Sequence, residues 1–135
     1  MVSTDSITLA LPYKADYVSV ARLTASGISS RIGFDIETIE DIKVAVSEVC
    51  SRIIGAAAGH SGCYEILFDV SDTGLDISFA SGIDRIKCLF KNEEDGLSMS
   101  IINAFMDKVE FCPTKDYLLS MTKTFEVISG NGLQS

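Results

Sequence analysis

The sequence predicts an α+β fold, a two-layer sandwich with three helices on a mostly antiparallel sheet. A helical period of apolar residues runs for four turns from Ile39 to Ile53. Two stretches of alternating apolar residues, 64–70 and 75–79, flank a short turn. Helices and strands that each have one apolar face pack those faces together in layers. The 135 residues fit one domain, predicted over 1–135.

The chain is expected to begin with a strand and a helix. Alternation of the apolar residues Ile7, Leu9 and Leu11 predicts a short strand that ends at Pro12. The following helix is predicted over residues 15–31. Its apolar face is expected to contain Tyr17, Val20, Ala21, Thr24, Ile28 and Ile32. Gly33 is a suitable helix stop.

The second helix is the most strongly patterned element. Asp35 is placed as its N-cap, and Glu37, Glu40 and Asp41 follow in the first turns, where the helix dipole favours acidic residues. The remaining elements are predicted as a hairpin, a long loop, a third helix and two closing strands, over residues 64–79, 81–96, 97–108, 109–111 and 117–127.

Charge and composition exclude several classes of partner. Nineteen acidic and eleven basic residues give a net charge of −8 and a pI near 4.5. Nucleic acids and anionic membranes need a basic surface, so general binding to either is not expected, whereas a basic protein partner is compatible. No apolar run approaches the ~20 residues of a membrane span, and no signal peptide is evident. A cytoplasmic protein is expected.

The cysteines predict neither a metal site nor a redox motif. Cys50, Cys63, Cys88 and Cys112 form no Cys-x-x-Cys pair, and His60 is the single histidine. Four free thiols in a reducing compartment are favoured, although counting alone leaves two disulfides open.

Several spaced motifs occur in a recognisable order. Residues 11–54 combine a strand, a helix bearing Arg22, a Gly33-Phe34 turn and a helix containing the sequence Ala-Val-Ser-Glu at 45–48. Two later runs, Gly-Leu-Ser-Met-Ser-Ile-Ile and Met-Asp-Lys-Val-Glu, follow at 96–102 and 106–110.

These motifs resemble the bacterial anti-sigma-factor serine kinases, small members of the GHKL ATPase superfamily that also includes histidine-kinase catalytic domains. The resemblance covers nearly the whole chain and implies the GHKL fold. It also implies ATP or ADP with magnesium as cofactors, a homodimer, and a sigma factor or its antagonist as partner. Glu48 would be the general base that accepts the proton of an attacking serine hydroxyl.

The nucleotide motifs depart from the family at three places. Arg52 stands where the family has the asparagine that holds magnesium. After the strand at 75–79, only Gly82 and Asp84 match the tail of an Asp-x-Gly-x-Gly motif whose aspartate binds adenine. Ser98 replaces the second glycine of Gly-Leu-Gly-Leu, which begins at Gly96. The candidate site residues are therefore Glu48 for catalysis and Arg52, Gly82, Asp84, Gly96 and Ser98 for nucleotide binding.

The pair Glu48 and Arg52 allows three interpretations. Their i,i+4 spacing permits a structural salt bridge that fills a vacated pocket. Alternatively, Arg52 binds phosphate without metal, or kinase chemistry is retained. Three functions correspond to these: a protein-binding regulator with a degenerate nucleotide site, an active kinase that phosphorylates an anti-sigma-factor antagonist, and a sensor of small anions or small molecules.

Overall fold

Five strands form one antiparallel sheet in the part of the chain that the structure describes. The structure, a computed structural model, describes residues 3–86, 89–91, 96–111, 113 and 116–125. The strands are β1 (Ser3–Pro12), β2 (Cys63–Ser71), β3 (Gly74–Ser81), β4 (Lys108–Phe111) and β5 (Leu119–Thr124). Their order across the sheet is β1-β2-β3-β5-β4, and every neighbouring pair is antiparallel.

Three α-helices accompany this sheet within the same described ranges. They are α1 (Val18–Ile32), α2 (Ile36–Ala56) and α3 (Gly96–Phe105). Short 3-10 helices occur at Ala15–Tyr17, Asp84–Ile86 and Leu89–Lys91. The predicted α+β class, with three helices on an antiparallel sheet, is confirmed.

Register places the apolar side chains of the strands on one face of the sheet. Ile66 lies opposite Phe79, and Phe68 opposite Ile77, which in turn faces Met121. These side chains are fully buried and form one core with the buried stripes of the helices. The other face of the sheet is polar, with hydroxyl–carboxylate and hydroxyl–hydroxyl hydrogen bonds between strands, at Ser6–Asp69, Thr122–Asp76 and Ser78–Ser120. A two-layer sandwich follows from this segregation of the two faces.

The junction between α1 and α2 is fixed by local backbone chemistry. Gly33 ends α1 in the left-handed region at φ 103°, which favours glycine. Asp35 caps α2, because its Oδ1 accepts a hydrogen bond of 2.8 Å from the Thr38 amide. The hydrogen bond from Thr38 lowers the pKa of Asp35. Both sequence predictions for this turn are confirmed.

The buried face of α1 differs from the predicted one. The side chains that it buries are small, at Ala21, Ala25 and Ser29, whereas Tyr17 and Val20 are 40% and 38% exposed. Residues 15–17 form a 3-10 turn with three residues per turn, so Tyr17 is not in phase with the α-helix that follows. Small residues four apart also allow close packing against α2, which the apolar periodicity did not reveal.

Other boundaries shift by a few residues. Helix α3 ends at Phe105, three residues before the predicted end, because Lys108 already pairs with Thr122 in the sheet. Strand β5 covers Leu119–Thr124, and the predicted extension to 126 and 127 lies outside the described residues. Cys50 is a buried free thiol and Cys63 an exposed one, while Cys88 and Cys112 lie outside the described ranges.

The hairpin between β2 and β3 depends on a glycine at a close backbone approach. A Cβ atom at Gly74 would lie 2.2 Å from the Lys123 carbonyl oxygen and 2.8 Å from the Thr124 Cα of β5. We expect Gly74→Ala to lower the free energy of unfolding by about 2 kcal/mol or more, because the backbone of β5 must move. Urea unfolding measures this change.

The control is Gly27→Ala in α1, where an added Cβ meets nothing within 4 Å. We expect this substitution to raise stability by about 0.5–1 kcal/mol, since alanine loses less backbone entropy in a helix. A neutral Gly74→Ala would contradict the close approach of β3 and β5.

Asp107 joins the end of α3 to the end of β5. Its Oδ2 accepts hydrogen bonds from the Thr124 amide at 2.7 Å and from the Thr124 hydroxyl at 2.9 Å. Lys123 lies 3.7 Å from its Oδ1. Partial burial alone would raise the pKa of Asp107, but the hydrogen bonds and the lysine outweigh it and lower the pKa below 3.8.

This shift predicts a pH dependence. Because the folded pKa lies below the unfolded one, the carboxylate of Asp107 stabilises the fold above pH 3.8 and loses this effect as pH falls through the folded pKa. The side chain is 44% exposed, so we expect Asp107→Asn to cost only about 0.5–1 kcal/mol at pH 6. This cost should shrink in unfolding measured below pH 3.8, whereas a constant cost would contradict the role of charge. Glu65→Gln, at an exposed position on β2, is the control.

Candidate functional site

The centre of the candidate site is the middle of α2. Glu48 and Arg52 are one turn apart and both half-buried, while their neighbours Val49, Cys50 and Ile53 are fully buried in the core. The buried stripe fixes the rotation of α2, so the two polar side chains lie along the border of that stripe. Helix α3 packs against α2.

Glu48 is bound to α3 by a hydrogen bond between side chains. The Ser98 hydroxyl donates to Oε1 of Glu48 at a distance of 3.0 Å. Ser98 is the third residue of α3, whose buried side chains are Met99 and Ile102. The structure therefore brings together the predicted general base and the residue that replaces a glycine of the family motif.

Arg52 does not form the salt bridge that its spacing from Glu48 permits. Ion pairs among the described residues join Lys43 to Glu40, Lys108 to Glu110 and Lys123 to Asp107, and none of these joins Glu48 to Arg52. Arg52 has a polar or electrostatic interaction of its own. Its role as a phosphate contact stays a prediction.

Gly82, Asp84 and Gly96 are exposed. Gly82 and Asp84 follow β3, and Asp84 begins a short 3-10 helix. Gly82 also lines a cavity of about 560 Å³, together with Cys63, Glu65, Ala80, Ser81, Asp116 and Tyr117. Gly96 is the first residue of α3. Among the hydrogen bonds given for described residues, only the one between Ser98 and Glu48 joins two of the predicted site residues.

A cluster of tyrosines at the end of β3 was not predicted from the sequence. Ser81 is the last residue of β3, and its hydroxyl lies 2.6 Å from the Tyr13 hydroxyl and accepts a hydrogen bond from the Ile83 amide at 3.2 Å. Tyr64 lies opposite Ser81 in the sheet and stacks on Tyr13 with ring centroids 5.5 Å apart. The sequence carries no local pattern for this cluster, because the cluster forms only when β1 and β3 pair with β2 in this register.

Burial keeps the two deepest groups of this region neutral. Burial raises the pKa of Cys50 to about 11 and raises the pKa of Tyr64 well above its usual value. The thiol and the phenol are therefore protonated at neutral pH, and neither is a nucleophile of the kind that a reactive cysteine provides. The cluster packs the β3 end of the site and supplies no reactive group.

Comparison with known proteins places the fold in a family. A sequence model described as the histidine kinase-like ATPase domain matches residues 11–123. The chain belongs to this family. The match includes every candidate site residue, from Glu48 to Ser98.

Individual relatives narrow the group within the family. The chain is 34% identical to a protein named serine-protein kinase RsbW from Halalkalibacterium halodurans, across 88% of this chain and 83% of that protein. Proteins of the same name from Bacillus cereus strain G9842 and Bacillus thuringiensis strain Al Hakam are 30% and 32% identical, across 88% of this chain and 84% of each. The resemblance to the anti-sigma-factor serine kinases is thus confirmed.

Two further findings bear on ligands of other kinds. Among the described residues, no three histidine, cysteine or acidic side chains are grouped as a metal centre would require. None of the described helices combines the length and apolar character that crossing a membrane requires.

The contact between Tyr13 and Ser81 predicts a stability effect at the β3 end of the site. We expect Tyr13→Phe to lower the free energy of unfolding by about 1 kcal/mol, because a part-buried hydroxyl of Ser81 loses its partner. Thermal and urea unfolding measure the loss. Tyr17→Phe is the control, since Tyr17 is 40% exposed in the turn before α1. Equal effects of the two substitutions would contradict the contact.

Proposed function

We propose that this chain is an anti-sigma-factor-like regulatory protein that binds a sigma factor or the antagonist of one, with a degenerate nucleotide site. The observation that carries the proposal is the 3.0 Å hydrogen bond from Ser98 to Glu48. It engages one oxygen of the carboxylate that the kinase reaction would use as its base, and it involves a side chain that the family motif lacks. A cytoplasmic homodimer is part of the proposal.

The residue that follows Glu48 by one turn supports the same conclusion. The family asparagine would offer magnesium a neutral oxygen ligand. The guanidinium of Arg52 is a permanent cation with donors only, so it cannot coordinate the metal. The residues at this position therefore do not fit magnesium, and we derive no step through a metal–nucleotide complex.

The opposite end of the site also differs from the family pattern. The resemblance places an aspartate after β3, where its carboxylate would accept a hydrogen bond from the adenine amino group. Counting back from Gly82 puts that position at Ala80, whose methyl group accepts no hydrogen bond. This end of the site therefore lacks the carboxylate that would bind adenine.

The charge of the chain agrees with a protein partner. A net charge of −8 on 135 residues favours association with a basic surface and speeds encounter with it. The same charge opposes general binding to nucleic acid.

An active serine kinase is the second candidate. Glu48 ends the Ala-Val-Ser-Glu run at 45–48 that resembles the kinase motif. The relatives are named serine-protein kinases. In this alternative, Glu48 would accept the proton of a serine hydroxyl of the antagonist. The alternative requires that the antagonist's serine reach the Glu48 carboxylate beside Ser98.

Calorimetric titration of the nucleotide-free protein with ATP and ADP, with and without magnesium, separates the two candidates. We expect no binding up to millimolar nucleotide, together with capture of a sigma factor or its antagonist in a pull-down. Magnesium-dependent binding in the micromolar range, followed by transfer of phosphate to an antagonist, would replace the regulator with the kinase.

A single substitution tests the part that Arg52 plays. We expect Arg52→Asn to raise the affinity for magnesium–ATP about tenfold or more, because it replaces a cation with a neutral oxygen ligand. Arg31→Asn, at an exposed position near the end of α1, is the control and should leave the affinity unchanged. An unchanged affinity in Arg52→Asn would contradict the role of the cation and move the cause to the missing adenine contact after β3.

A further inference from the structure

We propose that Ser98 is a positioning residue that fastens the first turn of α3 to α2 by occupying the carboxylate of Glu48. The inference deepens the proposed function and rests on it, since it assigns to Glu48 the task of an anchor in place of a general base. Its starting point is the hydrogen bond of 3.0 Å between the Ser98 hydroxyl and Oε1 of Glu48.

The first turn of α3 has few other anchors. Gly96 and Leu97 are exposed, Leu97 by 76%, and the deeply buried side chains of the helix are Met99 and Ile102. Met99 and Ile102 attach one stripe of α3 to the core, but Met99 is only the fourth residue, so the start of the first turn is held by neither. Ser98 is the side chain that ties this turn to a charged group on another helix.

Electrostatics strengthen the contact. A hydrogen bond that has an ionised acceptor is stronger than one between neutral groups. The carboxylate also lies at the N-terminal turn of α3, where the helix dipole favours negative charge and where backbone amides have no partner inside the helix. Glu48 therefore stabilises the start of α3 in two ways, and both require an acidic side chain at position 48.

This arrangement has a consequence for chemistry at Glu48. A phosphoacceptor hydroxyl must donate a hydrogen bond to the general base before it transfers its proton. The Ser98 hydroxyl already makes that kind of bond to Oε1 from within the chain. An external serine would have to displace Ser98 or bond to Oε2, the other oxygen of the same carboxylate.

Hydrogen exchange of the full-length protein tests the anchor without nucleotide. The amides of residues 100–102 bond to the carbonyls of 96–98 in α3, so they report fraying of the first turn. We expect Ser98→Ala to speed their exchange about tenfold, and Ser98→Thr, which keeps the hydroxyl, to restore most of the protection. Ser100→Ala, at an exposed position on the same helix, is the matched control.

A double-mutant cycle identifies Glu48 as the partner. If the two side chains act together, Ser98→Ala should speed exchange about tenfold in the wild-type background and have little effect in Glu48→Ala. Additive effects of the two substitutions would overturn the proposal, and so would unchanged exchange in Ser98→Ala. Equal loss of protection in Ser98→Thr would also overturn it, because the hydroxyl would then not be the cause.

The same proteins separate this inference from the proposed function. Calorimetry with magnesium–ATP on the wild type reports on the nucleotide site, whereas exchange in the absence of nucleotide reports on the anchor. Tight ATP binding together with the expected exchange pattern would refute the degenerate site and retain the anchor. No ATP binding together with unchanged exchange would refute the anchor and retain the regulator.

Discussion

The packing of α2 against the sheet is the constraint on which the rest of the site depends. Six of its residues are fully buried, at Ile42, Ala45, Val46, Val49, Cys50 and Ile53. They face the buried side chains of β2, β3 and β5 in one core. A helix with such a stripe cannot rotate without exposing several apolar side chains, each worth about 1.5–3 kcal/mol of burial. The fixed orientation of α2 determines the directions of Glu48 and Arg52. It also determines which side of α2 packs against α3.

The entrance to α2 is determined by chemistry that is local in sequence. The left-handed Gly33 stops α1, the Asp35 cap starts α2, and Phe34 between them stacks on Phe125 with ring centroids 4.7 Å apart. A cavity of about 590 Å³ lies at this junction, but its lining belongs to the cap and to the Asp107–Lys123 contact. The junction therefore serves to set the angle of α2, and the functional chemistry lies four turns further along the helix.

Prediction from the sequence was most successful for elements that a periodic apolar pattern and a local start or stop signal both define. The α2 stripe, the Asp35 cap, the Gly33 stop and the hairpin all express contacts within a few residues of one another, so a pattern along the chain contains them. The face of α1 was predicted only in part: Ala21 is buried and Ile28 and Ile32 pack against the core, whereas Ala25 and Ser29, small residues that allow close approach to α2, were missed. The Tyr13–Ser81 contact joins residues 68 positions apart. A periodic pattern along the chain cannot predict such a pair, because the contact depends on how β1, β2 and β3 are aligned in the sheet.

The Ser98–Glu48 bond illustrates the limit of inference from motifs. In the sequence, Ser98 departs from the family motif and Glu48 matches it, 50 positions apart. In the fold the two residues are in contact, because the Ser98 hydroxyl donates a hydrogen bond to the Glu48 carboxylate. Glu48 at its family position is therefore not in itself a sign of catalysis, since the same carboxylate also stabilises the start of α3. Function depends on the site and not on the fold. The hydrogen-bond partner of a side chain therefore says more about its role than the residue type alone.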